Sequence, residues 1–253
     1  MICPICKTEM REGVWDWMSK NFTPQENLDC HRCDNCNHIF VDYQEDGLDF
    51  HKNDWRKKQK GGVNFDSSFH LFREGIVERR SEVVREYTEG KNCKSLIDVG
   101  AGGGSFLLKL KQRWWDIPLK NLEAQEISTH CINYLNGEGF KTHQGDFNEI
   151  EFKKQYDVVT AWHVLEHVKD VKTFAKQIDK ITKKYFIVEV PMASGSNGGY
   201  GRNPNTHEKG FNGHFHFFTE ESMKYLFKDY FKSSTVGEAI QGGKHSLQMI
   251  FEK

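Results

Sequence analysis

From Leu96 to Ser105 the chain reads Leu-Ile-Asp-Val-Gly-Ala-Gly-Gly-Gly-Ser, an apolar run that meets four glycines within five positions. A strand ends there, because glycines open positive φ and close backbone approach to a ligand, and an amphipathic helical stretch over 105–113 follows. The pattern then repeats. Apolar runs at 95–99, 121–127, 140–143, 156–161, 184–190, 233–239 and 246–251 have helical stretches between several of them, at 128–136, 164–182 and 220–230. Strands alternating with helices predict a parallel α/β sheet. The last two runs are joined only by a short connection containing Gly242-Gly243 and so predict an antiparallel pair at the C-terminal edge. A helix is expected over 76–87, with Gly90 as its stop.

The chain has 253 residues, 37% hydrophobic and 28% charged, enough apolar material for a sizeable core and too much for a disordered segment. Its formal charge is -1, so no bulk field draws it to phosphate backbones or anionic lipid. The basic cluster between Lys52 and Lys60 reads as a solvated helix face or linker as readily as a nucleic-acid patch. With no apolar run of about 18 residues and no secretory-type start, neither a membrane span nor a signal peptide is expected, and the default compartment is the cytoplasm. The expected organisation is a small unit at 1–45, a linker and leading helix at 46–75, and a catalytic domain at 76–253.

Five of the seven cysteines crowd the N-terminus. Cys3-Pro4-Ile5-Cys6 and Cys33-Asp34-Asn35-Cys36 are two C-x2-C elements, and two such turns can present four thiolates to one tetrahedral Zn2+. Cys30 and His31 are rival ligands close by. A redox reading is poorer, since neither pair opens a helix after a strand. Four protein ligands leave no open position, so the expected zinc is structural and supplies much of the small unit's folding free energy.

In the glycine turn, Ser105 stands where a dinucleotide fingerprint wants its third glycine, which disfavours NAD. Asp98, an acid at the end of the preceding strand, suits a cationic aminoacyl ligand better than a pyrophosphate. The next strand ends at Glu126, where a carboxylate can bind ribose hydroxyls, and the one after ends in Gly145-Asp146-Phe147, a carboxylate and a ring for an adenine. On these residues, and on 156–168, the chain resembles the class I S-adenosylmethionine-dependent methyltransferases over roughly residues 70 to 253. The resemblance implies a Rossmann-like, mostly parallel seven-stranded sheet with an antiparallel C-terminal edge strand, preceded by a zinc ribbon. It implies a cofactor site in which Gly100, Ala101 and Gly102 meet the aminoacyl part, Glu126 the ribose, and Asp146 with Phe147 the adenine, with Asp98, Gly104 and Ile127 also among the cofactor-binding residues. The N-terminal unit is similar to the zinc ribbon that precedes some carbohydrate-pathway methyltransferases.

Asp157 to Val168 runs from a strand into an expected helix, with His163 and His167 four apart on one face. H-x-x-E-H also matches an inverted zinc-protease motif, a reading that would leave the glycine turn and its acidic series without a role. The methyltransferase resemblance places Trp162 and His163 on the sulfonium side and His167 toward the acceptor. A long Gly-, Asn- and Ser-rich stretch after Pro191 ends in Gly-His-Phe-His-Phe-Phe-Thr, and Thr219 is the expected N-cap of the next helix. Related enzymes carry a similar H-x-x-x-F-T passage beside the acceptor pocket. His167, with His214 or His216, is the expected base for a hydroxyl or activated-carbon acceptor.

The expected function is therefore methyl transfer from S-adenosyl-L-methionine to a small molecule, by O- or C-methylation of a sugar or other hydroxylated metabolite. A nucleic-acid acceptor is the alternative, disfavoured by the neutral charge and by the absence of an N-P-P-Y-type turn and a Pro-Cys nucleophile. A non-catalytic scaffold that binds the cofactor and recruits a partner through the ribbon is the third reading.

Overall fold

The computed structural model describes residues 1–12, 29–42, 67–113, 121–191, 214–241 and 244–253. The basic cluster at Lys52–Lys60 and most of the stretch after Pro191 lie outside the described residues.

Helix α1 (Ser67–Thr88) leads, longer than the expected 76–87, and Gly90 at φ 71 ends its last turn. Strand β4 (Leu96–Val99) and strand β7 (Tyr156–Trp162) are buried along their whole length, as continuous apolar runs in a sheet covered on both faces must be. Strand β5 (Leu122–Glu126) is equally buried although it reads Leu-Glu-Ala-Gln-Glu. Its three polar side chains each find hydrogen-bond partners, which is what burial of such groups requires.

With β6 (Lys141–Gln144), β8 (Thr182–Pro191), β10 (Ser233–Gln241) and β11 (Lys244–Glu252), these form a seven-stranded sheet of order β10-β11-β8-β7-β4-β5-β6. Strand β4 pairs in parallel with β5 and β7, and β5 with β6. The expected antiparallel edge is present: β10 and β11 pair from Ser233↔Glu252 to Gln241↔Lys244. The crossovers carry α2 (Ser105–Arg113), α3 (Thr129–Gly137) and α4 (Val171–Ile181). The order reverses between β4 and β7, the kind of switch point at whose carboxyl end open α/β sheets bind ligands.

Helix α4 starts later than the expected 164. Asp170 caps it, accepting from the backbone N–H of Lys172 and Thr173, while His163 at φ 57 turns the chain out of helical geometry. Only one 3-10 turn, Leu165–His167, lies between them. Helix α5 (Glu220–Phe227) carries the expected Thr219 cap, completed by Ser222 in a reciprocal capping box.

A second, four-stranded sheet joins β1 (Arg11–Glu12), β2 (Asp29–Arg32), β3 (Ile39–Asp42) and β9 (His216–Phe217). The last strand comes from far along the chain. Pairing of Ile39 with Phe217 and of Phe40 with His216 draws the C-terminal part of the chain into the ribbon's own sheet. The chain accordingly divides into two compact units, one of Met1–Gly47, His163–Lys176 and Val188–Glu252, the other of Leu48–Trp162, Gln177–Ile187 and Lys253. In the first, His38 and His216 are fully buried, with a 2.9 Å contact between His38 Nε2 and His216 Nδ1 and rings stacked at 5.1 Å. Burial holds both below the ordinary histidine range, so both are neutral.

Gly104 shows how closely the elements after the turn approach. Its φ is +71 and an added Cβ would lie 2.3 Å from Leu135 Cδ2, which is fully buried. Gly90 has the same φ and nothing within 4 Å. Gly104→Ala is expected to destabilise the protein by about 2–4 kcal/mol, from left-handed strain plus overpacking, and Gly90→Ala by about 1 kcal/mol from strain alone. Urea unfolding of the two variants measures the difference.

Candidate functional site

The end of β5 holds both loops of the expected cofactor site. Gly100 N–H donates to Gln125 Oε1 (3.1 Å) and Ala101 N–H to Gln125 O (3.0 Å). Gly102 N–H donates to Glu126 Oε2 at 2.6 Å, while Ile127 and Ser128 N–H donate to Glu126 Oε1 at 2.8 and 3.0 Å. Gln125 Nε2 donates to Gly145 O (2.7 Å), and Gly145 N–H to Glu126 O (3.1 Å). Gln125 was not among the expected site residues. Its signal lay in the sequence, a polar side chain one residue before the acid, but its role depends on which loops flank β5.

Asp98 is 2% exposed and accepts a hydrogen bond from Thr160 Oγ1 at 2.7 Å. Burial pushes its carboxyl up to about 7, against the Thr160 hydrogen bond and the charge of Arg80. A cation bound nearby would favour the ionised form. Asp146 closes an Asx turn on Asn148 N–H (2.9 Å), and Phe147 is a buried ring packed 5.5 Å from Phe152. Trp162 lies edge-on to Phe106 at 5.1 Å, under the Arg80 guanidinium at 5.0 Å. Its indole N–H is buried without a protein acceptor, as a group awaiting a ligand would be.

His163 is placed differently from its expected role. Its ring bridges two buried carboxylates, with Nδ1 3.2 Å from Glu166 Oε1 and Nε2 3.0 Å from Glu189 Oε1, and its N–H donates to Glu189 O at 2.8 Å. Burial alone would lower its pKa, but the hydrogen bonds to Glu166 and Glu189 outweigh that and raise it to about 9. His163 is thus an imidazolium that donates from both nitrogens, and neither is left for a ligand. Glu166 and Glu189 were missed because their partner lies in the one left-handed residue of the segment.

His167 and His214 come together, with ring centroids 4.6 Å apart and planes at 75°. Glu166 joins them: one ligand atom from each of the three lies within 4.8 Å of the others, and Glu166 Oε2 is buried with no hydrogen-bond partner. His216 is elsewhere, fully buried against His38 and Phe218, with Nε2 3.4 Å from Lys169 O. It is not part of the cluster that His167, His214 and Glu166 form. The inverted protease motif is also not formed, since His163 is taken by its carboxylates and the segment is not an α-helix.

Cys3, Cys6, Cys33 and Cys36 converge, with Sγ–Sγ separations of 3.7 Å for Cys3–Cys36 and 3.2 Å for Cys6–Cys33. A tetrahedron of ~2.3 Å Zn–S bonds sets sulfurs about 3.8 Å apart, so the four fit one zinc. Each turn ends in a left-handed residue directly after its second cysteine, Lys7 at φ 67 and Asn37 at φ 55. His31 is buried on β2 and stands outside the cluster.

The family model described as "Methyltransferase domain" matches residues 69–230. Ubiquinone biosynthesis O-methyltransferase of Rickettsia bellii (strain OSU 85-389) is 27% identical over 104 residues, 40% of this chain and 43% of that protein. The chain thus matches less than half the length of that curated relative. Among solved structures, magnesium protoporphyrin IX methyltransferase from Synechocystis PCC 6803 with bound SAH superposes with TM-score 0.58 at 16% identity, covering 81% of this chain and 96% of the other. A SAM-bound amino pentose methyltransferase from Micromonospora echinaspora gives TM-score 0.54 at 14% identity, covering 75% and 98%. At these identities the structures show a shared fold.

The His163 bridge sets a titration that can be measured. Because its folded pKa lies above the unfolded value, it contributes stability that is fully present below about pH 6.5 and is lost as pH rises through about 9. Glu189→Gln removes one of the two carboxylates and should lower the His163 pKa by about one unit or more. Imidazole 15N shifts followed from pH 6 to 10 report it, and a wild-type midpoint near the ordinary histidine value would contradict the assignment.

Proposed function

The chain belongs to the methyltransferase-domain family, and we propose that it transfers a methyl group from S-adenosylmethionine to a hydroxyl of a small molecule, a sugar or related metabolite. The observation that carries this reading is the Glu126 carboxylate, fixed at the end of β5 against the Gly102 N–H of the glycine turn. When bound, the cofactor supplies a methyl group on a positively charged sulfur, activated for in-line displacement. The protein's work is binding, orientation and proton removal.

Glu126 offers the ribose its remaining acceptor capacity at Oε2, while Gly100 and Gly102 bring backbone close to the aminoacyl part. Asp98, whose carboxyl burial pushes up to about 7, would be favoured in its ionised form by a cationic ligand held near it. Asp146 and the buried ring of Phe147 border the adenine, and the indole N–H of Trp162 supplies a donor. On the acceptor, His167 takes the hydroxyl proton. His214, edge-on to it, and Glu166 beside it stabilise the imidazolium that forms.

The convergence of Glu166, His167 and His214 favours a second reading of the same three residues. An O,N,N set can hold a divalent cation, which would supply acidification of the acceptor hydroxyl in place of a histidine base. At the N-terminus, Cys3, Cys6, Cys33 and Cys36 hold a structural zinc in this proposal. A nucleic-acid acceptor is less favoured by a formal charge of -1.

The test uses methyl-labelled S-adenosylmethionine with fractionated cell extract, comparing wild type with His167→Ala. Label is expected in the small-molecule fraction and to fall by about 10²–10⁴-fold in the variant, with cofactor affinity unchanged. Partial rescue of His167→Ala by added Mn2+ or Mg2+ would favour the cation reading. Label in RNA, or in nothing, would overturn the proposal for a nucleic-acid enzyme or a scaffold.

A further inference from the structure

A cavity of about 230 Å³ is walled by the first cysteine turn, the first turns of α4, and the end of α5 with the residues after it. Three lysines from these three elements line it, Lys7, Lys172 and Lys228, together with Tyr225, Tyr230 and Asp229. The wall is built against electrostatic preference. Lys172 stands in the first turn of α4, where the helix field disfavours a cation, and burial and then the nearby Lys7 ammonium disfavour its charged form further. None of the three forms an ion pair with a described carboxylate, and Asp170, which feels Lys7, is spent capping α4 through Lys172 and Thr173. Lys228 is held by its ammonium over the Tyr225 ring, 4.9 Å from the centroid. A tyrosine face orients a cation without neutralising it.

We infer that this cavity binds the phosphate group of a small phosphorylated molecule. Three ammonium donors from separate elements can surround one tetrahedral anion, and tyrosine rings at the wall can pack against the ester it carries. A volume of this size suits a small ligand. An RNA backbone would instead need an extended basic stripe, and the chain's charge is -1. The thiolates of the cysteine cluster offset part of the lysine charge, since Cys3 and Cys6 both attract Lys172. They belong to the ribbon wall alone, whereas Lys228 comes from the residue after α5. The inference is independent of which acceptor is methylated.

The experiment titrates inorganic pyrophosphate into the full-length, zinc-loaded chain by calorimetry, for wild type, Lys172→Met, Lys228→Met and the exposed control Lys153→Met. Zinc content and thermal unfolding are measured on each. Wild type is expected to bind saturably with Kd at or below about 1 mM. Lys172→Met and Lys228→Met should each weaken it about tenfold, the loss of one charge-assisted hydrogen bond, while Lys153→Met leaves it unchanged. If Lys172→Met loses zinc or folds poorly, Lys228→Met decides alone. No saturable binding up to about 10 mM, or equal affinity in Lys228→Met, overturns the inference and leaves the lysines as partners of the zinc cluster. A single-stranded RNA oligomer that binds through these lysines and is not displaced by pyrophosphate also overturns it.

Discussion

A buried carboxylate survives only if donors replace the water it has lost, and at Glu126 the donors are backbone. Gly102, Ile127 and Ser128 together occupy about three of its four lone-pair directions. Because one of these N–H groups belongs to the turn after β4, satisfying Glu126 also fixes that turn relative to β5. Gln125 does the same for the turn after β6, accepting from Gly100 and donating to Gly145. Two neighbouring side chains therefore hold both loops of the site, and a ribose diol would have to share Oε2 with Gly102. Ligand binding there would be coupled to loop position through a single oxygen.

The acidic end of β8 solves a similar problem with a charge. Glu189 and Glu166 are each 1% exposed, and two carboxylates so buried require a counter-charge. His163 provides it from a left-handed backbone that a non-glycine residue adopts only when its surroundings over-determine it. That bridge leaves Glu166 with one oxygen committed and one without a partner, beside His167 and His214. The strained residue thus sets the direction of the acid that the proposed chemistry uses, and Gln248 steadies Glu189 from β11 at 3.4 Å.

Features written in neighbouring residues are legible in the amino-acid order itself. The glycine turn, the acid at the next strand end, the two cysteine pairs and the Thr219 cap each arise from a few consecutive positions, and the order of apolar runs carries the seven-stranded sheet. What depends on distant pairing is not legible in that way. Contact between His38 and His216 spans 178 positions, and it buries His216 in a unit that also holds the cysteine turns. The 163–170 segment misleads for a different reason. Its i, i+4 histidines fit a helix face, but Asp170 offers a better N-cap further on, and two carboxylates hold His163 in a conformation no helix permits.

We propose that the turn beginning at Gly100 and the carboxylate of Glu126 form a nucleoside-binding site for a sulfonium donor and its product. Isothermal calorimetry of the wild-type chain with S-adenosylhomocysteine, beside Glu126→Ala, examines it without requiring an acceptor. Saturable one-to-one binding is expected for wild type and a loss of about 2–3 kcal/mol in the variant, the value of hydrogen bonds to a charged group. Absence of heat with wild type, or equal affinity in both proteins, would contradict it.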